Sequence, residues 1–184
     1  MGDPRRFRLF ADLIERNFPP ARLPTVADVA GGKGALQGEL RRRGYDVTTF
    51  DKRKGRKNRP GRMQYCYSYF TRWAKPGGIA RISFADDPAQ ATPGSGPTKD
   101  FDLLVGMHPD GATDVIIDEA ARRRVPFVIC PCCVITTVTT LQGEVTYAKW
   151  LAHLERFAHQ KGFKTQRTVL SMKGKNFVLL GSPR

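Results

Sequence analysis

Thr25-Val26-Ala27-Asp28-Val29-Ala30-Gly31-Gly32-Lys33-Gly34-Ala35 is the stretch from which the rest of the chain can be read. Thr25–Ala30 is a short apolar strand that runs into a glycine cluster. Ala35–Arg43 then reads as a helix, with Leu36 and Leu40 four apart on one face and Arg41, Arg42 and Arg43 in the last turn, where cations suit the helix dipole. Gly44 closes it. A strand that ends in glycines and opens directly into a helix can admit a ligand at the turn. Without Cβ atoms the backbone can turn sharply and approach a ligand, and the amides of the next helix face that ligand. Taken alone, the cluster is equally consistent with a tight turn of no further purpose.

Working outward, strand-like apolar runs alternate with helical patterns, the signature of βαβ units and a mainly parallel sheet. Tyr45–Asp51 is the second strand and Gly78–Ala85 the third; Phe101–Met107 is the fourth and Pro126–Cys130 the fifth. Helices are expected over residues 1–23, Ala112–Arg124 and Gly143–Lys161. The last ends on Lys161-Gly162, a helix-stop signal. Lys164–Met172 and Asn176–Gly181 follow as two more strands joined by Lys173-Gly174-Lys175. So short a link requires an antiparallel hairpin, because a parallel return needs a crossover of about a dozen residues or more. The expected architecture is one α/β domain over residues 1–184. It is a seven-stranded Rossmann-like sheet, mainly parallel with a C-terminal antiparallel hairpin and helices on both faces. Residues 52–77 form a basic and aromatic insertion, and 87–99, rich in Pro, Gly, Ser and Thr, a flexible loop.

Two acids stand where such a fold binds an adenosyl group. Asp51 ends the second strand some twenty residues after the glycines, where a carboxylate accepts from ribose hydroxyls, and the third strand ends in Ala85-Asp86-Asp87, where a carboxylate can accept from the adenine amine. The dinucleotide dehydrogenase pattern fails: with Gly32 and Gly34 as the first pair, the third glycine position is Gln37.

Asp28 through Gly34 resembles motif I of class I S-adenosylmethionine-dependent methyltransferases, Asp-x-Gly-x-Gly-x-Gly. Gly32 and Gly34 match, and Ala30 takes the place of the first glycine. The likeness of strand and helix order runs from about Pro24 to Gly181, nearly the whole chain. It implies S-adenosyl-L-methionine as cofactor, held by Asp28, Ala30, Gly31, Gly32, Gly34, Asp51, Lys52, Asp86 and His108. A narrower resemblance lies in Gly106-Met107-His108-Pro109-Asp110-Gly111 and Cys130-Pro131-Cys132-Cys133. These look like the Gly-Leu-His-Pro and Pro-Cys-Cys segments of a group that includes tRNA 2′-O-uridine methyltransferases. Asp110 departs from the small or Cys residue usual there.

Methyl transfer from a sulfonium is an in-line displacement, so the protein has chiefly to align nucleophile, methyl carbon and sulfur. Where the acceptor must lose a proton, a base belongs at the carboxyl ends of the fourth and fifth strands. His108 and Asp110 are the candidate catalytic residues, orienting or deprotonating the acceptor, and Pro131, Cys132 and Cys133 shape the acceptor pocket. The competing roles are a satisfied loop histidine for His108 and an N-cap before Ala112 for Asp110. For the cysteines the competing roles are a covalent nucleophile, as in base-carbon methylation, with no general base visible beside it, and small buried apolar residues.

Thirty-one Lys and Arg against 17 Asp and Glu give a net charge of +14, which points to a polyanion as partner. Seven of those cations, Lys52, Arg53, Lys54, Arg56, Lys57, Arg59 and Arg62, stand together without an acid among them. Tyr65, Tyr67, Tyr69, Phe70 and Trp73 follow. Cations bind phosphates and rings stack on unpaired bases, so the order suits RNA better than a small metabolite. The aromatics read equally well as core. Three of the four cysteines crowd into Cys130–Cys133, with Cys66 apart. That is neither a disulfide framework nor the paired spacing of a structural zinc site, and no metal is expected. No membrane span, secretory leader or myristoylation pattern is found, so a soluble cytoplasmic protein is expected. An RNA methyltransferase is the first reading. A methyltransferase-like fold that serves as an RNA-binding or assembly factor, and a small-molecule methyltransferase, are the others.

Overall fold

The computed structural model describes residues 2–51, 68–69, 82–83, 100–136, 139–141 and 145–184. Helix α1 (Arg6–Asn17) precedes strand β1 (Thr25–Val29), helix α2 (Ala35–Arg41) and strand β2 (Asp46–Phe50). Two short strands follow, β3 (Ser68–Tyr69) and β4 (Ile82–Ser83), then β5 (Leu103–Met107). A 3₁₀ turn over Asp110–Ala112 leads into helix α3 (Thr113–Arg123). Strand β6 (Phe127–Cys130), helix α4 (Tyr147–Gln160) and strands β7 (Phe163–Val169) and β8 (Phe177–Pro183) complete the chain.

The main sheet has six strands in the order β2-β1-β5-β6-β8-β7. Pairing is parallel from β2 through β6 and antiparallel from β6 to β8 and from β8 to β7. The expected C-terminal hairpin is therefore present, with Phe163 opposite Pro183 and Val169 opposite Phe177. Seven strands were expected in the sheet, and six belong to it among the described residues. Of the third expected strand, Gly78–Ala85, the described part is Ile82–Ser83, which pairs antiparallel with Ser68–Tyr69 in a separate two-stranded sheet. A partner little more than a dozen residues back along the chain takes its ladder hydrogen bonds. The apolar run looked the same in sequence whichever partner it was to find. The last helix also starts later than the apolar pattern suggested. The Thr146 hydroxyl accepts from the Lys149 amide at 3.2 Å, capping a helix that begins at Tyr147.

Alternate residues of each central strand enter opposite faces of the sheet, as a period of two requires. Val26, Leu103, Val105, Val128 and Leu180 meet Phe10 and Ile14 of α1 and Leu36 and Leu40 of α2. Ala27, Leu104, Phe127 and Leu179 meet Ile116 of α3 and Trp150 and Leu154 of α4. Two apolar layers thus sandwich one sheet whose inner strands are buried on both sides. Among the described residues no helix is long and apolar enough to cross a membrane.

The chain leaves β1 toward β2 on one side and later returns to place β5 on the other. β1 and β5 therefore flank a topological switch point, the place where an open α/β sheet leaves a crevice at the carboxyl ends of its strands. The register pairs Asp28 with Val105 and Met107 with Cys130. The glycine turn, the segment after Met107 and the segment after Cys130 thus leave the same edge of the sheet side by side.

Candidate functional site

The turn after β1 is built from three residues in left-handed backbone conformation, Ala30 (φ 57), Gly32 (φ 60) and Gly34 (φ 76). The Gly34 amide closes the turn on the Gly31 carbonyl at 3.0 Å, and the Gly31 amide donates to the Phe50 carbonyl at 3.2 Å. Ala30 adopts the conformation that a glycine would take there without cost. Gly31 is required by contact. A Cβ there would lie 2.1 Å from Asp28 Oδ2 and 2.5 Å from its carboxyl carbon.

Asp51 closes the turn from the neighbouring strand, its Oδ2 accepting from the Gly32 amide at 2.8 Å. The residue expected at the ribose thus stands against the glycines, nearly buried at 5% exposure. Asp28 lies fully buried beneath them and accepts from the Thr49 hydroxyl at 3.1 Å, while its Oδ1 has no hydrogen-bond partner among the described residues. Burial pushes its carboxyl up to about 7, opposed by the Thr49 hydroxyl and reinforced by the negative charge of Asp51. Asp28 therefore acts on any ligand through the shape of the turn. Lys52 and Asp86, and the basic run Arg53, Lys54, Arg56, Lys57, Arg59 and Arg62, lie outside the described residues. So do Cys66, Tyr65, Tyr67, Phe70 and Trp73, and the loop 87–99.

Beside the turn, the chain after β5 carries two further non-glycine residues in left-handed conformation, His108 (φ 57) and Asp110 (φ 47). Each costs on the order of 1 kcal/mol, and such residues gather where a side chain must be aimed. His108 donates its amide to the Cys130 carbonyl at 3.0 Å. Its Nε2 lies 2.8 Å from the carbonyl of Lys175 in the β7–β8 turn. A carbonyl can only accept, so Nε2 carries a ring proton, and in the neutral ring Nδ1 is the acceptor.

Asp110 does not cap the following helix: no side-chain cap bond is made there, and the Thr113 hydroxyl donates instead to the Asp110 carbonyl at 2.8 Å. The Asp110 carboxylate faces the turn after β6, where Cys132 Sγ stands 3.2 Å and Cys133 Sγ 3.5 Å from Oδ1. Burial and the adjacent Asp110 push the Cys132 thiol up to about 12, so it is no thiolate nucleophile at neutral pH. Cys130 is buried and likewise pushed up to about 12 by desolvation. It behaves as a small apolar residue.

Tyr147 and Lys175 were given no part in the site from the sequence. Tyr147 donates its hydroxyl to the Pro131 carbonyl at 2.7 Å, and Lys175 Nζ lies 3.8 Å from the centre of the Tyr147 ring. Both read as ordinary helix and turn residues, and no local signal marks them.

No protein-family model matches the sequence, and no curated protein matches it. Solved structures do match over nearly the whole chain. DesVI of Streptomyces venezuelae superposes with a TM-score of 0.56 at 11% identity, over 98% of this chain and 92% of that one. A SAM-dependent methyltransferase from Aquifex aeolicus gives 0.53 at 16% identity, over 97% and 93%. The ribosomal protein L11 methylase of Lactobacillus delbrueckii subsp. bulgaricus gives 0.51 at 19% identity, over 95% and 77%. The fold is thus the Rossmann-like fold of class I S-adenosylmethionine-dependent methyltransferases.

Proposed function

We propose that the chain is an S-adenosylmethionine-dependent methyltransferase whose acceptor is RNA, with tRNA or rRNA as the substrate class. The observation that carries the cofactor half of this reading is the turn at the switch point. There Gly32 and Gly34 take left-handed backbone over the buried Asp28, and the Asp51 carboxylate is anchored on the Gly32 amide. The residues present fit an adenosyl group. Glycine backbone gives it close approach, and a nearly buried carboxylate on the next strand suits a ribose diol.

The bound cofactor would supply an electrophilic methyl on a sulfonium. The chain's own task is alignment and the acceptor's proton. His108, held by the Lys175 carbonyl through Nε2 at the end of the strand next to β1, is the group that orients or deprotonates the acceptor atom. Asp110 is the second candidate, and its Oδ1 is shared with the two thiols. Pro131, Cys132 and Cys133, with Tyr147 hydrogen-bonded to Pro131, form the wall on the β6 side.

RNA as acceptor rests on charge: a net +14 and seven cations starting one residue after Asp51 have no role in methylating a neutral metabolite. The test is to incubate the full chain with methyl-labelled S-adenosylmethionine and total cellular RNA, then identify the labelled nucleoside, with calorimetry of cofactor binding alongside. Labelled RNA is expected, and His108→Ala is expected to lower turnover about 100-fold at saturating S-adenosylmethionine. Cofactor heat with label only in small molecules would reassign the acceptor. No cofactor heat would make the fold a scaffold.

A further inference from the structure

We propose that Asp110, Cys132 and Cys133 form a binding site for one zinc ion, with three protein ligands and one open position. The sequence argued against zinc, because the cysteines of Cys130–Cys133 have no second cluster to complete a ligand set. The sheet supplies what the spacing lacks. Met107 and Cys130 are paired residues of adjacent parallel strands, so the chain three residues beyond each arrives at the same place. Asp110 comes from one strand and Cys133 from the other.

The geometry of the three donor atoms fits one ion. In a tetrahedral site with Zn–S near 2.3 Å and Zn–O near 2.0 Å, two sulfurs stand about 3.8 Å apart and sulfur and oxygen about 3.5 Å. Here the two Sγ atoms are 3.5 Å apart, and Oδ1 of Asp110 lies 3.2 and 3.5 Å from them. Adjacent cysteines commonly point apart along an extended chain. These converge on one carboxylate oxygen, and that carboxylate leaves its own helix uncapped to meet them from a left-handed backbone. The turn that carries the thiols is braced from behind, as ligands of a metal are: the Tyr147 hydroxyl holds the Pro131 carbonyl, and Lys175 lies over the Tyr147 ring.

Two thiolates and one carboxylate cancel the charge of a divalent ion with one negative charge to spare. Binding releases the two thiol protons to solvent, and the ion exchanges water ligands for the two sulfurs and the carboxylate oxygen. Three protein ligands leave the fourth tetrahedral position to water or an acceptor atom, the pattern of a catalytic rather than a structural zinc. The site stands on these side chains alone and holds whether or not the chain transfers methyl groups.

The test uses the full chain, reduced and stripped of metal, titrated with Zn²⁺ against a chromophoric chelator and separately with Co²⁺. One equivalent per chain is expected, with the thiolate-to-cobalt charge-transfer band and visible bands of a tetrahedral ion. Cys132→Ser, Cys133→Ser and Asp110→Asn are each expected to weaken Zn²⁺ binding by at least about tenfold. The double variant Cys132→Ser/Cys133→Ser should lose the charge-transfer band while its circular dichroism stays that of the parent. Failure of the reduced parent to compete with the chelator would overturn the site, as would undiminished binding in the double variant. Unchanged affinity in Asp110→Asn would overturn the three-ligand assignment.

Discussion

Asp28 is buried under the glycine turn as a carboxyl whose folded pKa is raised, and this gives the protein a stability that depends on pH in a definite sense. Below the unfolded pKa the acid is neutral in both states and costs nothing. As pH rises toward about 7 the unfolded chain ionises it freely while the folded chain must hold it protonated, so stability falls by a few kcal/mol. Asp28→Asn is expected to remove that slope between about pH 4 and pH 7, read by urea denaturation across a pH series. An unaltered slope would mean that the acid is not the group that titrates. Ala30 is the second informative residue. It stands in left-handed conformation where motif I has glycine, so Ala30→Gly relieves a Cβ clash at some entropic cost. A net gain of about 0.5 to 1 kcal/mol in unfolding free energy is expected, with cofactor heat retained. A loss would show that the strained conformation is not the one that the folded chain keeps.

The C-terminal hairpin joins the parallel part of the sheet through β8 against β6, where Gly181 faces Phe127 in register. A Cβ at position 181 would lie 2.1 Å from Cε1 and 2.5 Å from Cζ of that ring. The ring cannot step aside, since it is fully buried and meets Phe163 edge-on at a centroid distance of 5.0 Å. Gly181→Ala is therefore expected to cost more than about 2 kcal/mol, measured by the urea midpoint. The hairpin also reaches the proposed site. Its turn delivers the Lys175 carbonyl to His108 Nε2 and to Cys130 Sγ, at 2.8 and 3.5 Å. A mutation that loosens β8 should thus disturb His108 as well as stability. That the two last strands form a hairpin was legible in Lys173-Gly174-Lys175, because chain length alone forbids a crossover. That β4 would pair with β3 and not join the main sheet was not legible, since an apolar run does not name its partner.

For the molecule as a whole, the proposed binding of RNA by a chain of net charge +14 should weaken as salt is added. With all seven cations from Lys52 to Arg62 engaged on a single strand, log K should fall against log salt with a slope near −5. Replacing Arg53, Lys54, Arg56 and Lys57 by Ser should reduce that slope by about 3, while cofactor heat is unchanged; filter binding at several salt concentrations reads both. A slope near zero in the parent would remove nucleic acid as the partner. The sequence by itself determined the α/β alternation, the glycine turn, the acid at the end of the second strand and the reversed final pair. Each is written in local periodicity, turn chemistry or chain reach, which act over a few neighbouring residues. Only the tertiary structure decided that Asp51 anchors Gly32, that Asp110 turns away from its helix to the two thiols, and that His108 receives its tautomer from a carbonyl 67 residues along the chain. Those contacts depend on strand order and register, which are set by the packing of both faces of the sheet at once and leave no mark in any single segment.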